Sequence, residues 1–210
     1  MGDARPVKRV AHLLASLNCD GWRGLALLLV CSALLALTAT GGAGRRMLEY
    51  ERGALAAGEV WRLVTAHLVH LDLRHALLNC AGLALMWALF ARDYSVRQWL
   101  AILAGTAAAI DAGLWMCSST VGWYVGSSGV LHGVMAAGTL AHLRRREPEG
   151  WLLAAFLAAK LVWEHLVGAL PLSGLGTEVV VDAHLYGVVG GAAVAAFLRP
   201  RSRRALAEPL

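Results

Sequence analysis

Apolar residues fall into six long blocks along the chain, separated by shorter polar stretches. The blocks cover residues 24–40, 70–90, 98–116, 128–143, 151–170 and 179–198. A helix that crosses a bilayer needs about 20 predominantly apolar residues. The pattern therefore predicts an all-α, polytopic membrane protein in which six transmembrane helices form one bundle.

Composition supports a single membrane domain. The chain is 58% hydrophobic and only 16% charged, a balance that soluble domains seldom show. Its longest polar connection, 41–65, is too short for a separate soluble domain. We predict a cytoplasmic segment over 1–23, a membrane domain over 24–198 and a cytoplasmic tail over 199–210.

Positive charge predicts the orientation in the membrane. Lys and Arg cluster before the first block, after the second, after the fourth and after the sixth, whereas the connections after the third and fifth contain neither. Cytoplasmic loops carry the excess of Lys and Arg, so both termini are expected inside. Arg45, Arg46 and Arg52 depart from the pattern, but they lie in the longest loop, where the bias is weaker. The net charge of +5 is then explained by topology and contact with anionic lipid, with no nucleic-acid partner.

Polar residues lie at the start of three of these apolar blocks. His70, His75 and Asn79 open the second block, Ser128 opens the fourth and His184 opens the sixth. With the amino terminus inside, all three blocks begin at the outer face. Polar groups are costly inside a bilayer and usually functional there, so we predict one site near that face.

Small residues predict which helices meet. The fourth and sixth blocks each carry a stripe of small residues at four-residue intervals: Gly129, Gly133 and Ala137 on one, and Ala183, Gly187, Gly191 and Ala195 on the other. Such stripes let helix backbones approach closely in lipid, although they are common in membrane helices. Ser128 adjoins one stripe and His184 the other. A hydrogen bond from the Ser128 hydroxyl to the His184 imidazole is then geometrically reasonable.

A serine with a base also needs donors for a developing oxyanion. Ser128 opens a helix, where backbone N–H groups are free and the dipole favours negative charge. His75 and Asn79 are four residues apart and can point two donors at one spot. A purely structural role for His75 and Asn79 is the alternative.

Two neighbouring groups admit more than one interpretation. His132, one turn after Ser128, could compete as the base, but a residue on the same helix points along the axis, which favours His184. Lys160 and Glu164 are spaced for an ion pair within one helix. Binding an acceptor head group or the substrate backbone is the alternative role for that pair. Asp182 is close to His184 in sequence, but neighbouring helical residues point apart, so we do not include it in the site.

Other classes of protein fit less well. His67, His70 and His75 could together suggest zinc, yet no HExxH motif is present and Ser128 would have no role. A small transporter would be expected to show internal repeats, and none is seen. We expect neither a metal nor another cofactor.

The ordered set of motifs resembles the rhomboid family of intramembrane serine proteases. It comprises Trp61-Arg62, His70, His75-xxx-Asn79, the GxSG motif of Gly126 to Gly129, and Ala183-His184-xx-Gly187-xxx-Gly191. The resemblance implies a six-helix rhomboid-like bundle and a dyad of Ser128 and His184 without an aspartate. Ser128 would attack the scissile carbonyl, His184 would act as base and then acid, and His75, Asn79 and the Ser128 N–H would hold the oxyanion.

Two departures resemble the rhombosortase branch of that family. His132 stands where typical rhomboids often carry a tyrosine, and Lys160-Leu-Val-Trp-Glu164-His165 lies in the fifth block. This resemblance implies a bacterial inner-membrane enzyme with its active site facing the periplasm. Its substrates would be single-span proteins with a carboxy-terminal Gly-Gly motif, an apolar helix and a basic tail. The acyl group would pass to water or to an amine. An inactive rhomboid-like binding protein is the rival, but such proteins typically lack the Ser or His retained here.

Two loops are expected to border this site. Trp61 and Arg62 have the aromatic and cationic character that suits the headgroup zone, so we predict an interfacial element beside the entry path. The stretch 171–178 contains Ser173, Gly174 and Gly176. We predict that it caps the site and gates access to it.

Overall fold

The computed structural model describes residues 21–168 and 180–202 of the chain. The predicted cap over 171–178, most of the amino-terminal segment and most of the carboxy-terminal tail lie outside these residues. Within them the elements follow the order α1 Gly21–Ala39, α2 Gly41–Leu48, β1 Tyr50–Glu51, α3 Arg52–Ala56, α4 Arg62–Thr65, α5 Leu73–Phe90, α6 Val96–Met116, β2 Trp123–Tyr124, α7 Ser128–Arg144, α8 Pro148–Leu166 and α9 Val181–Phe197.

Each of the six apolar blocks forms a long helix, namely α1, α5, α6, α7, α8 and α9. In the described part of the chain, α5 and α6 are long and apolar enough to cross a bilayer by themselves. The residues Gly24–Ala39 and Gly41–Leu48, bent by 110° at the break between them, are a third candidate span. α7 and α9 are shorter, at 17 residues each, and bury much of their surface against other helices. These apolar helices make the chain an integral membrane protein.

Side-chain caps fix where the helices around the site begin. The Asp72 carboxylate accepts a hydrogen bond from the His75 backbone N–H at 2.8 Å, which starts α5 just before His75. Ser95 and Gln98 form a reciprocal capping box at the start of α6. Pro148 occupies the first turn of α8, where its missing N–H costs nothing. His75 is thereby held on the first turn of its helix.

α7 and α9 touch backbone to backbone, as the two stripes predicted. A Cβ built on Gly187 would lie 2.1 Å from the carbonyl oxygen of Gly129, and one on Gly191 would lie 2.1 Å from that of Gly133. No side chain fits in either place, so only glycine allows this separation. The contact brings the first turns of the two helices, which carry Ser128 and His184, side by side.

The polar connection 41–65 folds into α2, β1, α3 and α4 rather than a featureless loop. β1 pairs antiparallel with β2, with Tyr50 opposite Tyr124 and Glu51 opposite Trp123. This two-stranded sheet anchors the segment that leads directly into α7. The N–H of Gly126 also donates to the carbonyl of Ala66 at 2.9 Å, which ties the same segment to α4.

The expectation that Arg62 faces the headgroup zone is wrong. Its side chain is only 7% exposed, and it donates to the carbonyls of Arg46 and Glu49 and pairs with Glu59. These backbone carbonyls lack helical partners, and a five-donor guanidinium satisfies several of them at once. Trp61, by contrast, is half exposed. Arg62 therefore organises the connection, and only Trp61 is free to meet lipid.

Candidate active site

Ser128 and His184 form the contact on which the site is built. The Oγ of Ser128 and the Nε2 of His184 are 3.0 Å apart, a hydrogen-bond distance. Ser128 is half-buried at the first position of α7, and His184 is buried in the first turn of α9. The close glycine contact between α7 and α9 allows this short distance. The small-residue stripes and the hydroxyl–imidazole contact therefore point to the same pair of helices.

A third group, Glu164 of α8, contacts the other side of the same imidazole. Its Oε2 lies 2.9 Å from Nδ1 of His184, and its Oε1 pairs with Lys160. The ion pair within α8 was expected, whereas the contact with His184 was missed. The sequence carries only part of the signal: α8 ends shortly after Glu164 and α9 begins shortly before His184, which gives the level of the two residues but not whether they face each other. Consecutive antiparallel helices place such residues at one level.

This arrangement selects one tautomer of His184. The carboxylate of Glu164 can only accept, so Nδ1 carries the hydrogen. Nε2 then presents a lone pair to the Ser128 hydroxyl, which is the orientation that a general base requires. The three side chains form one line of hydrogen bonds from carboxylate to hydroxyl.

His132 supports the imidazole of His184 without contacting the serine hydroxyl. The two rings are stacked with centroids 4.0 Å apart and planes 14° apart, and His132 Nδ1 bonds the backbone carbonyl of Ser128 at 2.7 Å. His132, Glu164 and His184 are also close enough to suggest a shared metal ion. However, imidazole lone pairs lie in the ring plane, and two stacked rings direct theirs along parallel planes rather than to one point. The geometry favours stacking over coordination.

The two predicted oxyanion donors lie in the same cavity as Ser128. This cavity has a volume of about 270 Å³ and is lined by His75, Asn79, Ser128, His132, Lys160 and His184, among others. The Leu71 N–H donates to His75 Nδ1 at 3.4 Å, which leaves Nε2 of His75 to carry a hydrogen. Asn79 is only 4% exposed, and its Nδ2 lies 3.0 Å from the His75 carbonyl.

Ser127 was missed by sequence reasoning, since it occupies the variable position of GxSG. Its hydroxyl donates to Oδ1 of Asn79 at 3.1 Å, and His70 Nε2 lies 3.4 Å from the same hydroxyl. The carbonyl end of the Asn79 amide is thereby engaged, which orients its NH₂ end. His70 is buried and packs edge-on against His75, with ring centroids 5.0 Å apart.

Two predicted glycines lie against the site, whereas His67 and Asp182 do not take part in it. Gly126 has φ +108, which favours glycine, and a Cβ there would lie 2.8 Å from Cε1 of His75. A Cβ on Gly129 would lie 2.9 Å from the carbonyl oxygen of Ala183. His67 turns away and pairs with Asp111 at 3.3 Å. Asp182 bonds Ser118 instead of His184.

The cavity opens sideways between α5 and α8. Leu78 of α5 and Phe156 of α8 both line it, and they are 42% and 58% exposed. In an integral membrane protein a surface of this kind faces lipid. The cavity therefore reaches the protein surface between these two helices.

Fold and site together define a helical membrane protein with a serine, a histidine and a glutamate aligned beside a lateral opening. The Rhomboid domain family model matches residues 57–201, and the chain belongs to the rhomboid family. The chain is similar to the Putative rhomboid protease YdcA of Bacillus subtilis (strain 168), at 27% identity over 137 residues. That match covers 65% of this chain and 66% of the relative, just under two thirds of its length.

Proposed function

We propose that this protein is an intramembrane serine endopeptidase. The observation that carries the proposal is the 3.0 Å contact between Ser128 Oγ and His184 Nε2 at the wall of a laterally open cavity. Neither an inactive binding protein nor a transporter requires a serine hydroxyl aimed at a correctly oriented imidazole. Membership of the rhomboid family supports the same reading.

The residues provide each step of acyl transfer. His184 Nε2 takes the hydroxyl proton of Ser128 as Oγ forms a bond to the scissile carbonyl carbon. The tetrahedral intermediate then collapses, the C–N bond breaks, and His184 returns the proton to the leaving amine. Water or an amine, deprotonated by His184, then attacks the acyl carbon. The bond from that carbon to Oγ breaks, and His184 returns the proton to Ser128.

Three donors would stabilise the oxyanion of that intermediate. They are Nε2–H of His75, the amide NH₂ of Asn79 and the backbone N–H of Ser128 at the start of α7. Donors fixed before the reaction cost no reorganisation when charge develops, and each is worth about 3 kcal/mol. The Ser127 contact that orients the Asn79 amide serves this arrangement.

The proposed topology has six spans in the bacterial inner membrane, with both termini in the cytoplasm and the site facing the periplasm. Support comes from the distribution of Lys and Arg and from the six long helices. Ser128 and His184 begin helices that would start at the outer face. Water from the periplasm would reach them there, and substrate would enter between α5 and α8.

The proposed substrates are single-span proteins with a carboxy-terminal Gly-Gly motif, an apolar helix and a basic tail. The cavity of about 270 Å³ lies below the roughly 300–1,000 Å³ of typical ligand pockets and suits residues without bulky side chains. Lys160 lies on its wall, and Glu164 is buried directly behind Lys160. The same Lys–Glu pair is the feature by which this chain resembles the rhombosortases. Transfer of the acyl group to an amine is proposed alongside hydrolysis.

Coexpression with a Gly-Gly-tailed membrane protein tests this function. We expect the native chain to shorten the substrate, and Ser128→Ala and His184→Ala each to leave it intact. Ser32→Ala, on the exposed face of α1, is the matched control and should cleave normally. Mass spectrometry of the new carboxy terminus distinguishes a free carboxylate from an amine adduct. Capture of the substrate without any cleavage would identify a binding protein instead.

A further inference from the structure

Glu164 is a buried carboxylate in a helix of a membrane protein. Its side chain has no exposed surface, and both of its oxygens are engaged, one by Lys160 and the other by His184. A buried charge needs a partner, and Lys160 alone would neutralise it. Neutralisation therefore does not explain why the second oxygen lies against His184.

A role in orienting the imidazole of His184 explains why the second oxygen of Glu164 lies there. Glu164 contacts Nδ1 of His184 at 2.9 Å, while Ser128 contacts Nε2 at 3.0 Å. A carboxylate on one ring nitrogen fixes both the tautomer and the orientation of the other. In serine hydrolases an aspartate in this place holds the imidazole and stabilises the imidazolium that forms.

The surroundings of His184 give that carboxylate a second task. His132 stacks on one face of the ring, and the ammonium of Lys160 lies beside Glu164. When His184 takes the proton of Ser128, a new positive charge appears near that ammonium. Glu164 lies between the two cations and offsets the repulsion.

We propose that Glu164 is a positioning residue for His184, so that the site works as a Ser128–His184–Glu164 triad rather than a dyad. This inference rests on the proposed function, because it assigns Glu164 a role in the same reaction. Lys160 pairs with Oε1 of Glu164 and leaves Oε2 to reach Nδ1 of His184. The sequence alone indicated only an ion pair for these two residues.

Labelling of Ser128 by a fluorophosphonate, measured beside cleavage of a Gly-Gly-tailed substrate, tests the role. Glu164→Gln keeps the shape but places an amide that can donate to Nδ1, which favours the wrong tautomer. We expect labelling and kcat to fall roughly 10²–10⁴-fold with KM within about twofold of native. Glu164→Asp should recover part of the rate. Glu149→Gln, an exposed change on the same helix, is the control and should react as native.

The split between kcat and KM separates positioning from packing. Loss of a positioning carboxylate lowers kcat of the folded protein and leaves KM near its native value. A carboxylate that only packed the helix would leave kcat of the folded protein unchanged.

The double variant Lys160→Gln with Glu164→Gln tests the ion pair by itself. It removes both charges, so it leaves no unpaired ion and provides a folded variant if Glu164→Gln alone does not fold. We expect it to remain as slow as Glu164→Gln. Native reactivity in the double variant or in Glu164→Gln would overturn the role of Glu164 while leaving the protease assignment intact. Absence of Ser128 labelling in the native protein would overturn the proposed function and this role with it.

Discussion

His132 lies flat against His184, with ring centroids 4.0 Å apart, and bonds the backbone carbonyl of Ser128 through Nδ1. The His132 ring packs against one face of the His184 imidazole, which is the proposed base, while Glu164 forms a hydrogen bond with Nδ1 at one edge of that imidazole. The side chain that the sequence suggested as a competing base is thus a support for the base. Typical members of the family that this chain resembles often carry a tyrosine at that position, and a tyrosine ring could stack in the same way.

Replacing His132 distinguishes support from proton transfer. His132→Ala removes the stacked ring, and we expect cleavage to fall about fivefold but to remain measurable, since a stacked pair contributes about 1 kcal/mol. His132→Tyr should restore most of the rate, because it restores the ring without supplying a base. A dead His132→Ala beside an active His184→Ala would show that His132 is the base.

Loss of Asn79 should weaken the oxyanion site. We expect Asn79→Ala to lower kcat about 10²-fold or more with little change in KM, because a donor of this kind acts in the transition state. Ser127→Ala should give a smaller decrease, since it frees the Asn79 amide to rotate without removing it. Steady-state kinetics on one substrate measures both. Equal kcat for native protein and Asn79→Ala would remove this residue from the oxyanion site.

The glycine contact between α7 and α9 should tolerate no side chain. A Cβ at Gly187 would lie 2.1 Å from the Gly129 carbonyl, so Gly187→Ala must push the helices apart. We expect a loss of about 1–3 kcal/mol in the free energy of unfolding, together with lost cleavage, because Ser128 and His184 separate. Gly24→Ala is the control, since nothing lies within 4 Å of that position. Thermal unfolding in detergent compares the two variants, and equal melting temperatures would contradict the contact.

Glu51 makes the 41–65 connection sensitive to acid. The N–H groups of Gly53 and Ala54 donate to its carboxylate and hold its pKa below its usual value of 4.5. A lowered folded-state pKa gives stability that is present above the unfolded-state value and is lost as pH falls through the folded-state value. We expect α3 to loosen only below pH 4.5. Hydrogen exchange at Gly53 and Ala54 in native protein and Glu51→Gln measures this, and identical exchange at pH 7 would exclude the cap.

Periodic and local features of the sequence predicted much of the fold. The six apolar blocks gave the long helices within a few residues, because burial in lipid imposes length and apolarity along each segment. The stripes of small residues that end at Ala137 and Ala195 predicted the α7–α9 contact, because only small residues allow it. Ser128 and His184 followed from those stripes, since each adjoins one of them.

Contacts that depend on how a helix is rotated about its axis were not predictable. Glu164 reaches His184 only because α8 turns the face that carries Glu164 toward the bundle. In the sequence, the four-residue spacing from Lys160 already accounted for a charge at Glu164, so no partner on α9 was sought. Arg62 illustrates the same limit in a connection. Its charge suggested a surface position, whereas its real partners are the unpaired carbonyls of Arg46 and Glu49. Ser127 was overlooked because the adjacent Ser128 is the expected nucleophile of the GxSG motif.

The link from Glu164 to His184 constrains how the side entrance can widen. The entrance lies between α5 and α8, yet α8 also carries the carboxylate that orients the base. An outward movement of α8 to admit a bulky substrate would break that hydrogen bond and leave the imidazole of His184 free to rotate. α5 carries His75 and Asn79, the proposed oxyanion donors, so an outward movement of α5 would displace those residues instead. Widening at either helix would therefore remove a different part of the proposed site.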